Sequence, residues 1–291
     1  MAATTAKAFD EFKDKLLLSD MQRATVNSRK SVTNSNLSNS FPLTEDLPLQ
    51  RTKLIGSAER ATIIRPIDDI DILAVFDNRD GIFEKQYRLD SRKFLYRVRD
   101  ALNKYSVQIV GARGQAVRLF YKLAPHVDIA PVFQCQSGGY ALPNGTGGWI
   151  MTDPDEHNAY INRRNAELGY RLKPIARMIK RWNNVHSKYL KSFHIEVMIA
   201  TVFSSLGRDS RDACEKFFKS GQYFLDINDP AGYGGNLSSY LSGSARQSFV
   251  RNMEGARQRA ESANAAEVRG DHAEAIRLWR IIFGVEFPTY G

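Results

Sequence analysis

Gly56-Ser57-Ala58-Glu59-Arg60-Ala61-Thr62 stands a few residues ahead of Asp69-Ile70-Asp71-Ile72-Leu73. A Gly-Ser turn, a short polar stretch and two carboxylates at i, i+2 on an aliphatic strand make a compact phosphoryl-transfer layout. The strand period of two places Asp69 and Asp71 on one face and Ile70 and Ile72 on the other. Two carboxylates held side by side repel, and a divalent metal is the commonest compensating charge. The Gly-Ser turn supplies backbone N–H groups and a hydroxyl about where the phosphates of a metal-bound nucleotide would lie. A solvated Asp-rich turn before an ordinary strand is the plainer reading. It leaves the upstream Gly-Ser pair and the buried strand unexplained.

Working outward, 291 residues suffice for one large domain or two smaller lobes sharing a cleft. An apolar fraction of 43% with 11% aromatics fits a globular chain with a sizeable core. No segment approaches the ~20 apolar residues that would span a bilayer. Lys7, Asp10, Glu11, Lys13 and Asp14 stand where a signal peptide needs an apolar core, so a cytoplasmic protein is expected. Cys135 and Cys214 are the only cysteines, and the five histidines are scattered, which excludes a disulfide framework and a zinc-finger pattern. The net charge of +9 suits polyanions, either nucleic acid or nucleoside triphosphates in a basic cleft. No block of five or more like charges forms a polynucleotide arm, so long nucleic acid is not expected to be required.

Periodicity predicts an amphipathic helix over residues 5–20 and a loop or poorly packed helical stretch over Ser28 to Ser40. Ile70 to Phe76 reads as a strand buried on both sides, and residues 91–104 as a helix opening at Ser91. Val107 to Val110, Val117 to Tyr121 and Val127 to Phe133 read as strands, with Gly111-Ala112-Arg113-Gly114 as a hairpin turn. Tyr140 to Leu142 and Trp149 to Met151 suggest another hairpin around Pro143 to Gly148. That glycine cluster lacks the Lys and Ser/Thr of a P-loop and is read as turn chemistry. From Glu156 onward helical patterns dominate, ending in a helix pair broken at Gly270-Asp271. The expected fold is α+β: a mixed-sheet lobe over residues 1–155, N-terminal helix included, and a helical lobe over residues 156–291.

Three further features bear on chemistry. Asp128 sits among β-branched residues in His126-Val127-Asp128-Ile129-Ala130-Pro131, where an isolated carboxylate is costly unless paired or metal-bound. If its strand lies beside Asp69 and Asp71, three carboxylates converge, a two-metal site becomes available and Asp128 is the proton acceptor near an attacking hydroxyl. The stretch Leu172 to Trp182 divides at helical spacing into an apolar face and a basic face of Lys173, Arg177, Lys180 and Arg181. That basic face either neutralises phosphates or is simply solvated. Ser192-Phe193 offers a hydroxyl and an aromatic in one turn, and Phe193 either stacks on a base or belongs to the core.

Taken together, Gly56-Ser57, Asp69, Asp71, Asp128, Lys180-Arg181-Trp182 and Ser192-Phe193 resemble the polymerase-β-type nucleotidyltransferases. Gly-Ser-Ala-Glu-Arg-Ala-Thr and Asp-Asp-Ile-Asp-Ile-Leu resemble most the cGAS/DncV-like enzymes of bacterial antiphage (CBASS) systems. Asp229-Pro230, Asn236-Leu237 and the run from Ala273 to Phe283-Gly284 also resemble that subgroup. The resemblance implies a polymerase-β-like fold with the active site in the cleft between the lobes. It implies that Gly56 and Ser57 contact a donor triphosphate, and that Asp69, Asp71 and Asp128 are catalytic and bind Mg2+, or Mn2+. It further implies that Lys180 and Ser192 hold the triphosphate tail and that Phe193 stacks on the donor base.

The expected activity is therefore metal-dependent joining of nucleoside triphosphates into a cyclic di- or trinucleotide second messenger, with release of pyrophosphate. A regulatory protein partner and a downstream effector that binds the product are expected with it, and no membrane. The competing activities are template-independent RNA tailing, which needs a primer, and a non-catalytic nucleic-acid-binding module, whose binding should fall steeply with salt.

Overall fold

In the computed structural model, which describes residues 1–105 and 108–291, the Asp69–Phe76 strand lies inside a seven-stranded mixed sheet, next to its edge strand. Two helices precede the sheet, α1 (Thr5–Lys15) and α2 (Asp20–Ser40). β1 (Leu49–Ile55) runs into the single helical turn α3 (Gly56–Glu59), and β2 (Asp69–Phe76) follows. α4 (Ser91–Leu102) leads to β3 (Ile109–Arg113), β4 (Ala116–Phe120) and β5 (His126–Gln134). β6 (Tyr140–Pro143) and β7 (Trp149–Thr152) close the strand-rich half. Then come α5 (Pro154–Glu167), α6 (Leu172–Val185), α7 (Ser192–Val202), α8 (Ser210–Ser220), α9 (Gly243–Val268) and α10 (His272–Phe283). This is the α+β order expected from the sequence.

The strands run β1-β2-β5-β4-β3, with β6 paired to β5 and β7 to β6. β2 and β5 are parallel and all other pairs antiparallel. Alternation then sorts the side chains. Ile70, Ile72, Ala74 and Phe76 share one core with Val26 and Leu37 of α2 and Phe94, Leu95 and Val98 of α4. Leu73, Val75 and Val132 form a small apolar cluster on the opposite face, in line with Asp69 and Asp71. One face is sealed by helices, and the other carries the acids.

The structure revises several local readings. Residues 5–20 are not one helix: the chain breaks after Lys15, and Ser19 opens α2 in a capping box with Gln22. The Ser/Asn-rich stretch is fully helical, because Val26, Thr33 and Leu37 are buried and anchor it despite poor propensity. Gly111 to Arg113 belong to β3, paired through Arg113 and Ala116, so the hairpin turn is Gly114-Gln115. The reversal there needs a left-handed residue, and Gly114 has φ +63°. Of the strand expected at Val107 to Val110, Val107 lies outside the described residues.

α1, which sequence order groups with the first lobe, packs instead in the helical core. Phe9 and Phe12 meet Trp279, Phe283 and Phe287 at ring-centroid distances of 4.8–5.1 Å for the nearest pairs. The Ala2 amide also donates to the Thr289 carbonyl, tying the two ends of the chain together. The helical half therefore closes on the first turn of the chain. Among the described residues no helix is long and apolar enough to cross a membrane.

Candidate active site

The parallel register of β2 and β5 sets Asp71 directly beside Asp128, and β4 pairs Arg118 across from Asp128 on its other edge. Arg118 Nε donates to Asp128 Oδ1 at 2.5 Å, and its Nη2 donates to Asp69 Oδ2 at 2.7 Å and also to Asp128 Oδ2. One guanidinium thus bridges two of the three acids. The Asp128 hydrogen bonds hold Arg118 firmly charged, well above its ordinary range. Among the described residues Asp71 has no direct partner of this kind. Burial, then the charges of Asp69 and Asp128, push its carboxyl up to about 7.

The site therefore carries more negative charge than its one arginine offsets. Three carboxylates on neighbouring strands offer the hard-oxygen donors that a divalent cation takes. Among the described residues no three acid, histidine or cysteine side chains are already drawn together as a metal cage, since Asp69 and Asp128 turn to Arg118. A folded-state pKa near 7 against an unfolded value near 3.8 means the folded protein retains a proton that the unfolded chain loses. Without added divalent cation, stability should fall as pH rises between those two values. Melting temperatures in EDTA at pH 5 and pH 8 measure this. Asp71→Asn should flatten the difference, and an unchanged slope in that variant would contradict the assignment.

Gly56 sits at the end of β1 with φ +70°, where Ile55 pairs with Asp71. A Cβ on Gly56 would collide with the Asp71 carboxylate. Glycine is thus required twice, for its backbone angle and for this close approach. Gly56→Ala is expected to cost ~2–3 kcal/mol in denaturant unfolding, against ~1 kcal/mol for Gly114→Ala, which shares the left-handed backbone but whose Cβ meets open space. Ser57 then turns the chain: its carbonyl accepts from the amides of Thr62 at 2.9 Å and Ile63 at 3.0 Å.

A cavity between the halves is lined by Ser57, Thr62 and Asp69 from the sheet side and by Lys180, Asn183, Lys188 and Ser192 from α6, the following loop and α7. Ser57, Asp69, Lys180 and Ser192, separated widely in sequence, are thus brought together. Phe193 is not part of this wall. Its ring packs on His157 at 4.3 Å, lies under the Arg60 guanidinium at 4.9 Å and borders a different hollow beside Gly234 and Tyr240. Phe193 is partly buried and packs against the helical core, in keeping with the core reading.

Lys180 requires a correction as well. The helical division placed it on a basic face open to phosphate or to solvent, yet Lys180 and Arg177 are both buried. α6 lies against the Arg60–Thr62 segment, so this face has protein, not water, in front of it. Arg177 donates to the Ala61 carbonyl at 2.7 Å, and Lys180 Nζ donates to the Thr62 hydroxyl at 2.9 Å and to Glu196 Oε1 at 2.5 Å. Glu196 accepts in addition from Arg60 Nε at 2.5 Å and Thr62 Oγ1 at 2.6 Å. Burial alone would raise its carboxyl, but Lys180 and Arg60 together hold it down at about 2.

Arg60, Thr62, Arg118 and Glu196 had no role from the sequence. A signal existed for two of them. Glu196 is the lone acid in the otherwise apolar helix Ser192–Val202, and Arg118 interrupts the apolar strand Ala116–Phe120. A single charge in such a setting is stable only with a partner. The partner itself lies far away in sequence.

With the geometry in place, comparison with known proteins is informative. Residues 3–165 match the family model described as the Second Messenger Oligonucleotide or Dinucleotide Synthetase domain. A Bacillus cereus (strain VD146) protein named as a probable cyclic nucleotide synthase is 26% identical over 330 aligned positions, covering 100% of this chain and 99% of that one. Among solved structures, the Vibrio cholerae DncV cyclic AMP-GMP synthase with a linear intermediate matches at TM-score 0.79. It is 14% identical and covers 99% of this chain and 97% of that one. The E. coli MS115-1 CdnC:HORMA-deltaN complex matches at TM-score 0.75 and 19% identity, covering 97% and 98% of the two chains. At these identities the structural likeness speaks for the fold.

Proposed function

The chain belongs to the family of second messenger oligonucleotide or dinucleotide synthetases and is a nucleotidyltransferase, and from that premise we propose that it joins nucleoside triphosphates into a cyclic di- or trinucleotide second messenger. The observation that carries this reading is the pairing of Asp71 with Asp128 across β2 and β5, with Asp69, joined to Asp128 through Arg118, lining a cavity shared with Ser57 and Ser192. The wall hydroxyls of Ser57 and Ser192 and the Gly56-Ser57 backbone would hold the donor triphosphate, with Lys180 fixing the wall through its bonds to Thr62 and Glu196. An acceptor hydroxyl lying near Asp128 gives up its proton there, and its oxygen attacks the α-phosphorus. The bond to the β-phosphate oxygen breaks and pyrophosphate leaves. A second round within the linear intermediate closes the ring.

Asp69, Asp71 and Asp128 would hold the divalent metal that this chemistry uses, Mg2+ by the hardness of the donors and Mn2+ as the alternative. Bound there, it lowers the pKa of the attacking hydroxyl and offsets charge on the leaving pyrophosphate. The residues themselves orient donor and acceptor and keep the reacting atoms in line. A regulatory protein partner, an effector that reads the product and a cytoplasmic setting in antiviral defence complete the proposal. The relative seen in complex with a HORMA protein supports the partner.

The test is incubation of purified protein with all four ribonucleoside triphosphates and magnesium, with no polynucleotide added, and identification of phosphatase-resistant products by mass. Cyclic di- or trinucleotides support the reading. Extension only of an added RNA primer would place the chain with the tailing enzymes. Salt-sensitive polynucleotide binding without any product would place it with the binding modules.

A further inference from the structure

The cavity that should receive the triphosphate has two lysines in its wall, and only one of them is spoken for. Lys180 is buried and saturated by Glu196 and Thr62, whereas Lys188 is exposed and, among the described residues, has no ion-pair partner. Asp68 and Asp69 line the same cavity, yet neither pairs with Lys188. An unpaired cation facing a polar cavity that already offers two hydroxyls is placed for a polyanion.

The loop that carries Lys188 is built to hold it there. Ser187 and Lys188 have φ +73° and +50°, the left-handed region that side chains avoid and that glycine would enter freely. A helix end alone would be served as well by glycine at these positions. The conformation is fixed from both sides. The Lys188 amide donates to the Asn183 carbonyl at 2.7 Å, closing the end of α6. The buried Asn183 side chain then accepts from the Leu190 amide at 3.0 Å and donates to the Leu190 carbonyl at 2.9 Å. A strained backbone pinned by a buried side chain, with a free ammonium at its tip, is a conformation maintained for the ammonium.

We infer that Lys188 is a triphosphate-binding cation, contacting the terminal phosphates of the donor while Lys180 stays locked in the protein. This rests on the reading of the cavity as the donor triphosphate site. The contact is to phosphate only, so it is indifferent to the base.

Binding without turnover tests it, using inorganic tripolyphosphate, the α,β-methylene analogue of ATP and AMP as probes, in magnesium. Lys188→Met should weaken tripolyphosphate and the triphosphate analogue about tenfold, the scale of one charge-assisted contact, and leave AMP within about twofold. Lys188→Arg should restore most of the loss, and the wild-type advantage should shrink as salt rises. The side chain is exposed, so the fold should tolerate both changes, and an unaltered melting temperature checks that. Equal affinity of Lys188→Met and wild type for tripolyphosphate, or an equal loss for AMP, overturns the inference. The synthase reading fails separately, if wild-type protein makes no product from triphosphates while the Lys188-dependent binding persists.

Discussion

Asp69→Asn combined with Asp71→Asn is expected to lower cyclic product formation by roughly 10³-fold or more, while the protein stays folded and binds its other contacts. The reasoning is electrostatic. Asp71 faces Asp128 across the parallel strand pair and lies two residues from Asp69 on its own strand, and its carboxyl is already raised to about 7 by burial and by those neighbours. Neutral amides of the same shape remove the repulsion along with the metal-binding charge. Without divalent cation, then, the double variant should melt at or above the wild-type temperature at pH 8. Loss of activity with gain of apo stability is the pattern of a site whose charge is kept for function. Mass analysis of products together with melting curves in EDTA measures both halves. Product at near wild-type levels would remove the three acids from the reaction.

How much of this was legible beforehand depends on which interactions are local. β2 and its two acids are readable because a period of two fixes which residues share a face, whatever the rest of the chain does. The parallel partnership of β2 with β5 is not local, and Asp128 pointed only to its condition: a carboxylate in an apolar strand needs a partner, which β2 supplies if the two strands are neighbours. α4 was readable from Phe94, Leu95, Val98 and Leu102, which together mark one buried face. α2 was not, since its Ser/Asn run has weak propensity and owes its helix to contacts with the sheet core. Lys180 misled because spacing tells which residues share a helix face but not what that face meets. The segment it meets, Arg60 to Thr62, lies 118 positions away in sequence. Phe193 was ambiguous for the same reason, and its neighbours His157 and Arg60 come from two other elements.

Glu196→Ala is expected to cost ~3–5 kcal/mol of stability, the scale for removing one partner from a buried charge pair. Glu196 is fully buried and accepts from Arg60, Thr62 and Lys180 at once. Truncation leaves two buried cations without the carboxylate that offsets their charge. Glu196→Gln should cost less, since an amide oxygen still accepts from Thr62. The acid limb of stability separates charge from packing. A carboxyl near its ordinary value when unfolded and at about 2 when folded stabilises the protein above pH ~4.5 and loses that contribution as pH falls towards 2. Glu196→Gln should lack this limb, visible as a shallower loss of melting temperature between pH 5 and pH 3.

The same cluster reaches the active site, because the Thr62 amide is bonded to the Ser57 carbonyl and Lys180 forms part of the cavity wall. Lys180→Ala should accordingly lower both stability and triphosphate affinity, where a solvated lysine would lower neither. Retention of full stability by Glu196→Ala and Lys180→Ala would mean that water, not the ion cluster, fills the space between α6, α7 and the Arg60–Thr62 segment.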